Sequence, residues 1–440
     1  MPDYYEPKPP AEKAYVVAAQ IRGSQPLLNM EDSLNELEKL AQTAGMEIVG
    51  RATQMLNKVD NATFIGSGKV GEIKLDLEIT GAQVVIFDDE LSPRHQRELE
   101  KHFGESIKLL DRSALILDIF AQHAQTREGA LQVELAQYEY RLPRLTRQWT
   151  HLARQAGGGG SRSGNAGVGL RGPGETQLEV DRREIGRKIT HLKKDLEAVR
   201  EHRSRHRAQR ERSDIPVIAI VGYTNAGKST LLRTLTDTKI YVADQLFATL
   251  DPTTRRLSLP SGKYGLLTDT VGFIQKLPTT LIAAFRATLE EIIEADLLLH
   301  VVDISHPNVL QHLESVEDTL AEIDTPDIPR ILVWNKADNY HHEQLPEIPS
   351  DLNSIYDASV TISAMKSQGI DDLLQTIETV LTAHHRVVKL HIPYQRGDVT
   401  SYLHEMATVE DQQATETGMI LTVQLSRTLY ERYKDYQVEE

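Results

Sequence analysis

The chain has 440 residues, no cysteine and a formal net charge of −15. Its length allows several domains, and the absence of cysteine excludes disulfides, thiolate metal sites and cysteine nucleophiles. No apolar run approaches the length of a membrane span, and the first residues lack the basic-then-apolar pattern of a secretion signal. We therefore expect a cytoplasmic protein without stable membrane insertion, and we expect a monomer.

Residues 1–112 alternate strand-like and helix-like segments, which predicts a small N-terminal α/β domain. Strands are predicted at 14–21, 47–56, 62–65, 83–87 and 107–110, and helices at 31–44, 68–80 and 92–103. Gly66-Ser-Gly68-Lys69 looks like a phosphate-binding loop but lacks the required spacing. A turn before a helix explains it better.

Residues 113–212 carry two apolar heptad patterns, which predicts an antiparallel helical hairpin as a linker. The first pattern runs from Leu131 to Leu152, and Pro143 should kink its helix. The second runs from Ile185 to Val199, and a capping box at Thr176–Glu179 should begin its helix.

A glycine-rich loop at residues 156–176 separates the two predicted helices. It carries Arg162 and Arg171 and is approached by further arginines, including Arg144 and Arg154. From residue 182 to residue 212 there are 12 Lys or Arg residues against 5 acidic ones, on a chain that is acidic elsewhere. This pattern favours contact with folded RNA, although a flexible linker and a solvated helix face are the alternatives. The candidate RNA-contact residues are Arg154, Gly157, Gly158, Gly159, Gly160, Arg162, Asn165, Arg171, Arg182 and Arg183.

The segment from Gly222 to Ser229 reads Gly-Tyr-Thr-Asn-Ala-Gly-Lys-Ser, between an apolar strand-like run and a helix-like run. This spacing predicts a loop whose backbone N–H groups surround a phosphate at a helix N-terminus. Lys228 would contact the β- and γ-phosphates, and Ser229 is placed to bind Mg²⁺. We therefore predict a nucleotide site.

Three further clusters follow predicted strands. In Asp269-Thr-Val-Gly272, Asp269 can hold the Mg²⁺ shell through water, and the Gly272 N–H can reach the γ-phosphate. In Asn335-Lys-Ala-Asp338, the Asp338 carboxylate can accept the N1–H and amino group of guanine but finds no such donors on adenine. Ser363-Ala-Met365 can supply a backbone N–H to the guanine oxygen. Together these clusters predict a GTPase.

The segment from Phe247 to Asp251 precedes a predicted hairpin, and Thr249 is our candidate for the second Mg²⁺ hydroxyl. Lys228, Thr249 and Gly272 are the predicted catalytic groups. Phe273 stands where many GTPases carry a glutamine that orients water, and its side chain cannot form that hydrogen bond. Hydrolysis by the free protein should therefore be slow and accelerated by a partner. Asn225 is a hypothetical K⁺ ligand.

The predicted fold class is α/β. It comprises a P-loop GTPase domain at residues 213–385 with a doubly wound, mostly parallel sheet, the N-terminal domain, the hairpin linker, and a small C-terminal α/β unit at 386–440. In that unit, two strands are predicted at 387–392 and 419–425.

Several segments outside the nucleotide clusters carry a resemblance to a known family. They are residues 87–93 (FDDELSP), 132–137 (QVELAQ), 142–145 (LPRL), 172–179 (GPGETQLE) and 181–183 (DRR). With the nucleotide clusters, these motifs resemble those of the HflX family of translation-factor-like GTPases. The resemblance implies a loop that enters the large ribosomal subunit near its peptidyl-transferase centre, GTP-dependent binding to rRNA, and ribosome-stimulated hydrolysis. It further implies splitting of stalled or idle ribosomes into subunits, notably under stress.

The resemblance also extends the set of nucleotide contacts beyond the residues discussed above. The implied GTP-binding residues are Gly222, Tyr223, Thr224, Asn225, Ala226, Gly227, Lys228, Ser229, Thr230, Phe247, Ala248, Thr249, Leu250, Asp251, Asp269, Thr270, Val271, Gly272, Asn335, Lys336, Ala337, Asp338, Ser363, Ala364 and Met365. Two other functions remain open: a GTPase acting in ribosome assembly or RNA modification, and a GTP-dependent switch that recruits protein partners.

Overall fold

The structure is a computed structural model. It describes residues 11–24, 26–145, 173–211, 215–236, 246–247, 250, 252–276, 286–323, 325–342, 344–383, 386–425 and 427–438. The chain forms two compact units. The first contains residues 1–199, 243–251 and 275–286, and the second contains 200–242, 252–274 and 287–440.

The first unit contains a four-stranded parallel sheet in the order β2-β1-β3-β4. Its strands are β1 (Lys13–Ile21), β2 (Glu47–Leu56), β3 (Val84–Phe87) and β4 (Lys108–Asp111). Its helices are α1 (Met30–Thr43), α2 (Ser67–Thr80), α3 (Pro93–Phe103), α4 (Arg112–His123) and α5 (Arg127–Arg141). All four residues of β3 are buried, as expected of a central parallel strand covered on both faces.

The long helix α6 (Pro173–Glu211) packs against α5 through part of the predicted heptad pattern. Leu135, Leu192 and Leu196 are buried together, with Leu131 and Ile189 beside them. Three basic residues of α6, Arg182, Arg183 and Arg187, are exposed on its outer side. The heptads therefore predict which face of α6 is apolar.

The second unit is built on a six-stranded sheet in the order β10-β9-β8-β5-β7-β6, in which only β6 is antiparallel to its neighbour. Its strands are β5 (Val217–Gly222), β6 (Thr253–Ser258), β7 (Tyr264–Asp269), β8 (Leu297–Asp303), β9 (Arg330–Asn335) and β10 (Ala358–Thr361). Its helices are α7 (Lys228–Thr236), α8 (Arg286–Ile293), α9 (Val309–Glu322), α10 (Ser350–Asn353) and α11 (Ile370–Ala383). This arrangement brings the carboxyl ends of five parallel strands to one edge, where ligands of doubly wound folds bind.

The C-terminal part of the second unit has a three-stranded antiparallel sheet in the order β11-β13-β12. The elements are β11 (Arg386–Pro393), α12 (Gly397–Met406), β12 (Thr408–Ala414), β13 (Gly418–Leu425) and α13 (Arg427–Tyr433). The two predicted strands are present, but β12 was missed. Its sequence, Thr-Val-Glu-Asp-Gln-Gln-Ala, lies at the sheet edge with mostly exposed residues, so it lacks an apolar alternation. Among the described residues, no helix is long and apolar enough to cross a membrane.

Two local predictions were wrong. Residues 62–65 form a turn instead of a strand, because the Asp60 side chain accepts hydrogen bonds from the N–H groups of Ala62 and Thr63. Helix α5 ends at Arg141 and a 3-10 turn follows at Leu142–Arg144, and the predicted continuation of this arm beyond residue 145 lies outside the described residues. Helix α6 already begins at Pro173, so the residues of the predicted capping box lie inside it.

Candidate nucleotide-binding site

The predicted phosphate loop connects the end of β5 to the start of α7. Two of its glycines have neighbours that exclude a side chain. A Cβ on Gly222 would lie 2.2 Å from the carbonyl oxygen of Val301, and one on Gly227, where φ is +99°, would lie 2.3 Å from Nδ2 of Asn335. The loop can therefore pack closely against β8 and β9 only with glycine at both positions.

Lys228 is 6 % exposed and lies inside this loop. Its Nζ donates hydrogen bonds to the carbonyl oxygens of Gly222, at 3.0 Å, and Tyr223, at 2.8 Å. Burial lowers the pKa of Lys228 to about 8, and the nearby Asp269 carboxylate opposes part of that change. An ammonium group held in this way is positioned to bind an anion.

Ser229, in the first turn of α7, lies beside Asp269, the last residue of β7. The Ser229 hydroxyl donates to Oδ2 of Asp269 at 2.7 Å, and Asp269 is 1 % exposed. A hydroxyl and a carboxylate are the hard oxygen ligands that Mg²⁺ prefers, so the donor set fits this ion. Within the described ranges, the buried hydroxyl of Thr224 has no hydrogen-bond partner, which suits a loop that surrounds a polar ligand.

Gly272 and Phe273 lie against the phosphate loop. Phe273 N donates to the Gly222 carbonyl at 3.1 Å, and Thr224 N donates to the Phe273 carbonyl at 2.8 Å. A Cβ on Gly272 would lie 3.0 Å from Nζ of Lys228. The Gly272 backbone is therefore adjacent to the Lys228 ammonium, while the Phe273 side chain is buried at 3 % exposure.

The predicted guanine-binding residues meet at the ends of β9 and β10. The Asp338 carboxylate accepts a hydrogen bond from the Ser363 hydroxyl at 2.7 Å, which holds the pKa of Asp338 below its usual value. Asp338 is thus ionised at neutral pH and can accept hydrogen bonds from a base. Met365, two residues after Ser363, is 82 % exposed to solvent.

Asn335 connects the phosphate loop to the predicted guanine-binding segment that follows β10. Its Nδ2 donates to the Ala226 carbonyl of the phosphate loop at 2.8 Å, and its Oδ1 accepts from the Ala364 N–H at 3.0 Å. The side chain of Asn335 therefore positions both segments, a role that sequence reasoning, which placed it among the direct GTP contacts, did not identify.

Sequence reasoning also missed Asp303. This residue ends β8 and pairs through Oδ2 with Nζ of Lys336 at 2.8 Å. The signal available was its place at the carboxyl end of a strand in the same sheet as the predicted guanine-binding segment.

The segment from Phe247 to Asp251 is described only at Phe247 and Leu250. Phe247 has φ +57°, is 2 % exposed, and packs edge-on against Phe120 of α4 with ring centroids 4.6 Å apart. Its ring is therefore held within the first unit, and its contact with a nucleotide stays a prediction. Ala248, Thr249 and Asp251 lie outside the described residues.

Two of the candidate RNA-contact residues, Arg182 and Arg183, are exposed on α6. The other eight, in residues 154–171, lie outside the described part of the chain. Arg144, which we grouped with the basic approach to the loop, is instead buried at 8 % exposure. It donates to the Leu91 carbonyl at 2.8 Å and to Glu90 at 3.0 Å, because the chain turns inward after α5.

A doubly wound sheet with this phosphate loop, the Ser229–Asp269 pair and the Asp338–Ser363 pair defines the class: the protein is a P-loop GTPase. Family models match four consecutive parts of the chain. They are described as GTP-binding GTPase N-terminal (residues 31–121), GTP-binding GTPase middle region (123–210), 50S ribosome-binding GTPase (217–336) and HflX C-terminal domain (353–433).

Relatives named GTPase HflX cover most of the chain. The one from Caldanaerobacter subterraneus is 45% identical over 92% of this chain and 90% of its own length. The one from Escherichia coli K12 is 43% identical over 89% of this chain and 89% of its own length. The chain belongs to the HflX family of GTPases.

Among solved structures, a GTP-binding protein from Sulfolobus solfataricus in complex with GDP resembles the chain. It is 23% identical, with 84% of this chain and 98% of that chain covered and a TM-score of 0.44.

Proposed function

We propose that this GTPase binds the large ribosomal subunit in a GTP-dependent manner and splits stalled or idle ribosomes into subunits. The observation that carries the proposal is the match of residues 217–336 to the 50S ribosome-binding GTPase model, in a chain whose α6 presents a basic outer face. The match to this family model supports a ribosomal partner. The basic face supplies positive charge that would attract the phosphates of rRNA. Such a protein would act in the cytoplasm, where ribosomes are found.

The basic face of α6 has a shape suited to a polyanion. Arg183, Gly186, Arg187, Thr190 and Lys194 line one shallow cleft along the helix. Arg183 is 71% exposed at its side chain and pairs with Glu179 at 2.9 Å in an arrangement open to solvent. Surface pairs of this kind contribute little energy, so the arginine can exchange the carboxylate for a phosphate at small cost.

The phosphate-loop residues would act on GTP as follows. The Lys228 ammonium lies beside the Gly272 backbone. It and the Gly272 N–H would both stabilise negative charge on the γ-phosphate during hydrolysis. Ser229 and Thr249 would hold Mg²⁺, with Asp269 behind them through water. The ion would neutralise charge on the phosphate oxygens. Asp338 would select guanine, and Ser363–Met365 would contact its oxygen through backbone N–H.

Water positioning is the step for which this chain provides no side chain at the usual place. Phe273 is buried and tied to the phosphate loop by its backbone, so it cannot orient a nucleophile. We infer that the ribosome supplies or organises the missing group and so stimulates hydrolysis. Asn225 is exposed, with φ +60°. Its amide would be the K⁺ ligand beside the phosphates.

Sedimentation of ribosomes tests the proposal. Intact ribosomes are incubated with the protein and a nonhydrolysable GTP analogue and then resolved on a gradient. We expect loss of the intact-ribosome peak and growth of both subunit peaks. Binding only to immature particles would instead support a function in ribosome assembly, and absence of co-sedimentation would support recruitment of protein partners.

A variant lacking residues 157–172 makes the test specific for the loop. The GTPase residues are untouched, so GDP and GTP affinities of the free protein should match those of the full chain. Splitting and ribosome-stimulated hydrolysis should be lost. A deletion variant that still splits ribosomes would contradict the role of the loop.

A further inference from the structure

Tyr223 occupies the second position of the phosphate loop, where a loop that acts through backbone N–H groups needs no large side chain. Its ring is 4 % exposed and lies flat on the imidazole of His312, with ring centroids 3.9 Å apart and planes inclined by 4°. His312 is in the first turn of α9, an element outside the predicted nucleotide contacts. The phosphate loop is therefore attached to α9 through an aromatic stack.

The backbone of Tyr223 contacts Lys228 directly and pairs with the residue that follows Gly272. Its carbonyl accepts the hydrogen bond from Lys228 Nζ at 2.8 Å. Tyr223 also pairs with Phe273 in a parallel bridge, and Phe273 directly follows Gly272. A rotation of Tyr223 would therefore move the Lys228 ammonium and the Gly272 N–H relative to each other.

His312 is itself supported by a second imidazole. The His306 ring lies 4.2 Å from the His312 ring, and Nδ1 of His306 accepts from the Asn308 N–H at 3.1 Å. His306 N donates to the carbonyl of Asp303, whose carboxylate pairs with Lys336 of the guanine-binding segment. The stack thus lies between the phosphate and guanine halves of the site.

The geometry points to His312 as a positioning residue for GTP hydrolysis: its ring fixes Tyr223 and, through it, Lys228 and Gly272. Ring stacking restricts the orientation of an aromatic side chain beyond what simple burial does. Small displacements of groups that stabilise a transition state reduce the rate far more than they reduce ground-state binding. The inference rests on the proposed roles of Lys228 and Gly272 in that reaction.

The test compares three substitutions at His312 in the full chain. His312→Ala removes the ring, His312→Leu keeps apolar bulk without a flat surface, and His312→Phe restores a ring that can stack. Two quantities are measured for each variant: the rate of single-turnover hydrolysis at saturating GTP, and the Kd for GDP. Glu314→Ala, an exposed change on the same helix, is the matched control.

We expect His312→Ala and His312→Leu to reduce the hydrolysis rate about tenfold while the Kd for GDP changes less than about twofold. His312→Phe should hydrolyse GTP within about twofold of the unmodified protein. Unchanged rates in His312→Ala and His312→Leu would overturn the inference. It would equally be overturned if His312→Phe were as slow as His312→Leu, or if GDP affinity fell in parallel with the rate.

A separate arm tests the proposed phosphate site itself. Lys228→Ala should weaken GDP binding and abolish hydrolysis. If it did neither, the assignment of the phosphate site would fail, whatever the result at His312. If Lys228→Ala behaves as expected and His312→Ala does not, only the inference about the stack fails.

Discussion

Lys228 shows how burial and backbone hydrogen bonds together set the state of a residue before its ligand binds. Its ammonium is enclosed by the phosphate loop and held by two carbonyl oxygens. The enclosure lowers its pKa to about 8, so a fraction of the nucleotide-free protein carries a neutral lysine at mildly alkaline pH. A bound phosphate would favour the charged form and reverse the shift.

This shift predicts a pH dependence of GDP affinity. Between pH 7 and pH 9, the nucleotide-free protein loses the Lys228 proton that the phosphate-bound protein keeps, so affinity should fall as pH rises. With a pKa of about 8, the loss over this interval should be about tenfold. Titration with a fluorescent GDP at several pH values measures it.

Lys228→Arg is the matched control, since arginine keeps its charge throughout this range. The variant should bind GDP more weakly than the unmodified protein, but with an affinity that changes little between pH 7 and pH 9. An equal pH dependence in both proteins would show that another group is responsible.

At the scale of elements, a cluster of buried charges lies at the carboxyl ends of β3 and β4 in the first unit. Arg112, 1 % exposed at the start of α4, donates to Asp88 at 2.7 Å and pairs with Glu36 of α1. Lys276 is a second cation in this cluster. Its Nζ lies 2.5 Å from Oδ2 of Asp88 and 2.7 Å from Oδ1 of Asp89. Burial would raise the pKa of Asp88, but these cations hold it below its usual value.

Arg112→Leu should therefore destabilise this unit. The substitution leaves the buried carboxylates of Glu36 and Asp88 without their arginine. Removing one partner of a buried ion pair lowers the free energy of unfolding by about 3–5 kcal/mol. Hydrogen exchange of the β3 and β4 amides measures the free energy of opening. Arg94→Leu, at an exposed arginine of α3, is the control and should change it by less than about 0.5 kcal/mol. Equal protection in the two variants would refute the stabilising role of the charge cluster.

Elements with strong periodicity were predictable from the sequence. Strand β3 is a continuous apolar run, and α1 places Leu34, Leu37 and Leu40 on one buried face. Both patterns report burial directly: a continuous apolar run indicates a strand covered on both faces, and leucines at helical spacing indicate one buried helix face. The same reasoning orders the strands and helices of the second unit along the chain.

Predictions failed where side chains or sheet edges override the local pattern. The turn after Asp60 depends on hydrogen bonds from backbone N–H groups to a single carboxylate, and β12 gains its structure from pairing with β13. Arg144 shows a similar effect, since its partners Glu90 and Leu91 are more than 50 residues away in sequence. Tertiary contacts of this kind have no signature in a short window of sequence.

Motif spacing predicted which residues of the candidate site lie together, but not all of the contacts that hold them there. It selected Lys228, Asp269 and Asp338 because their chemistry suits a nucleotide, and their contacts with GTP stay predictions. It did not reveal that the Asn335 amide is used to join Ala226 to Ala364, or that His312 stacks on Tyr223. Both contacts involve residues from different strands and helices that only the folded sheet brings together.

For the whole molecule, charge is distributed in a way that fits a single RNA-contacting arm. The segment from residue 182 to residue 212 has a local charge of 12 − 5 = +7, so the rest of the chain carries −15 − 7 = −22. An acidic body would disfavour indiscriminate binding to rRNA and would confine attraction to the basic helix and the predicted loop. The proposed nucleotide-controlled factor would need such restriction, because its binding would have to end after hydrolysis.

The central claim is that the nucleotide state of the GTPase site controls engagement of the large ribosomal subunit. The most direct measurement is the affinity of purified large subunits for the protein with a nonhydrolysable GTP analogue, with GDP and without nucleotide. We predict an affinity with the analogue at least about tenfold higher than in the other two states, the usual scale of coupling between two sites. Equal affinities in all three states would contradict the claim.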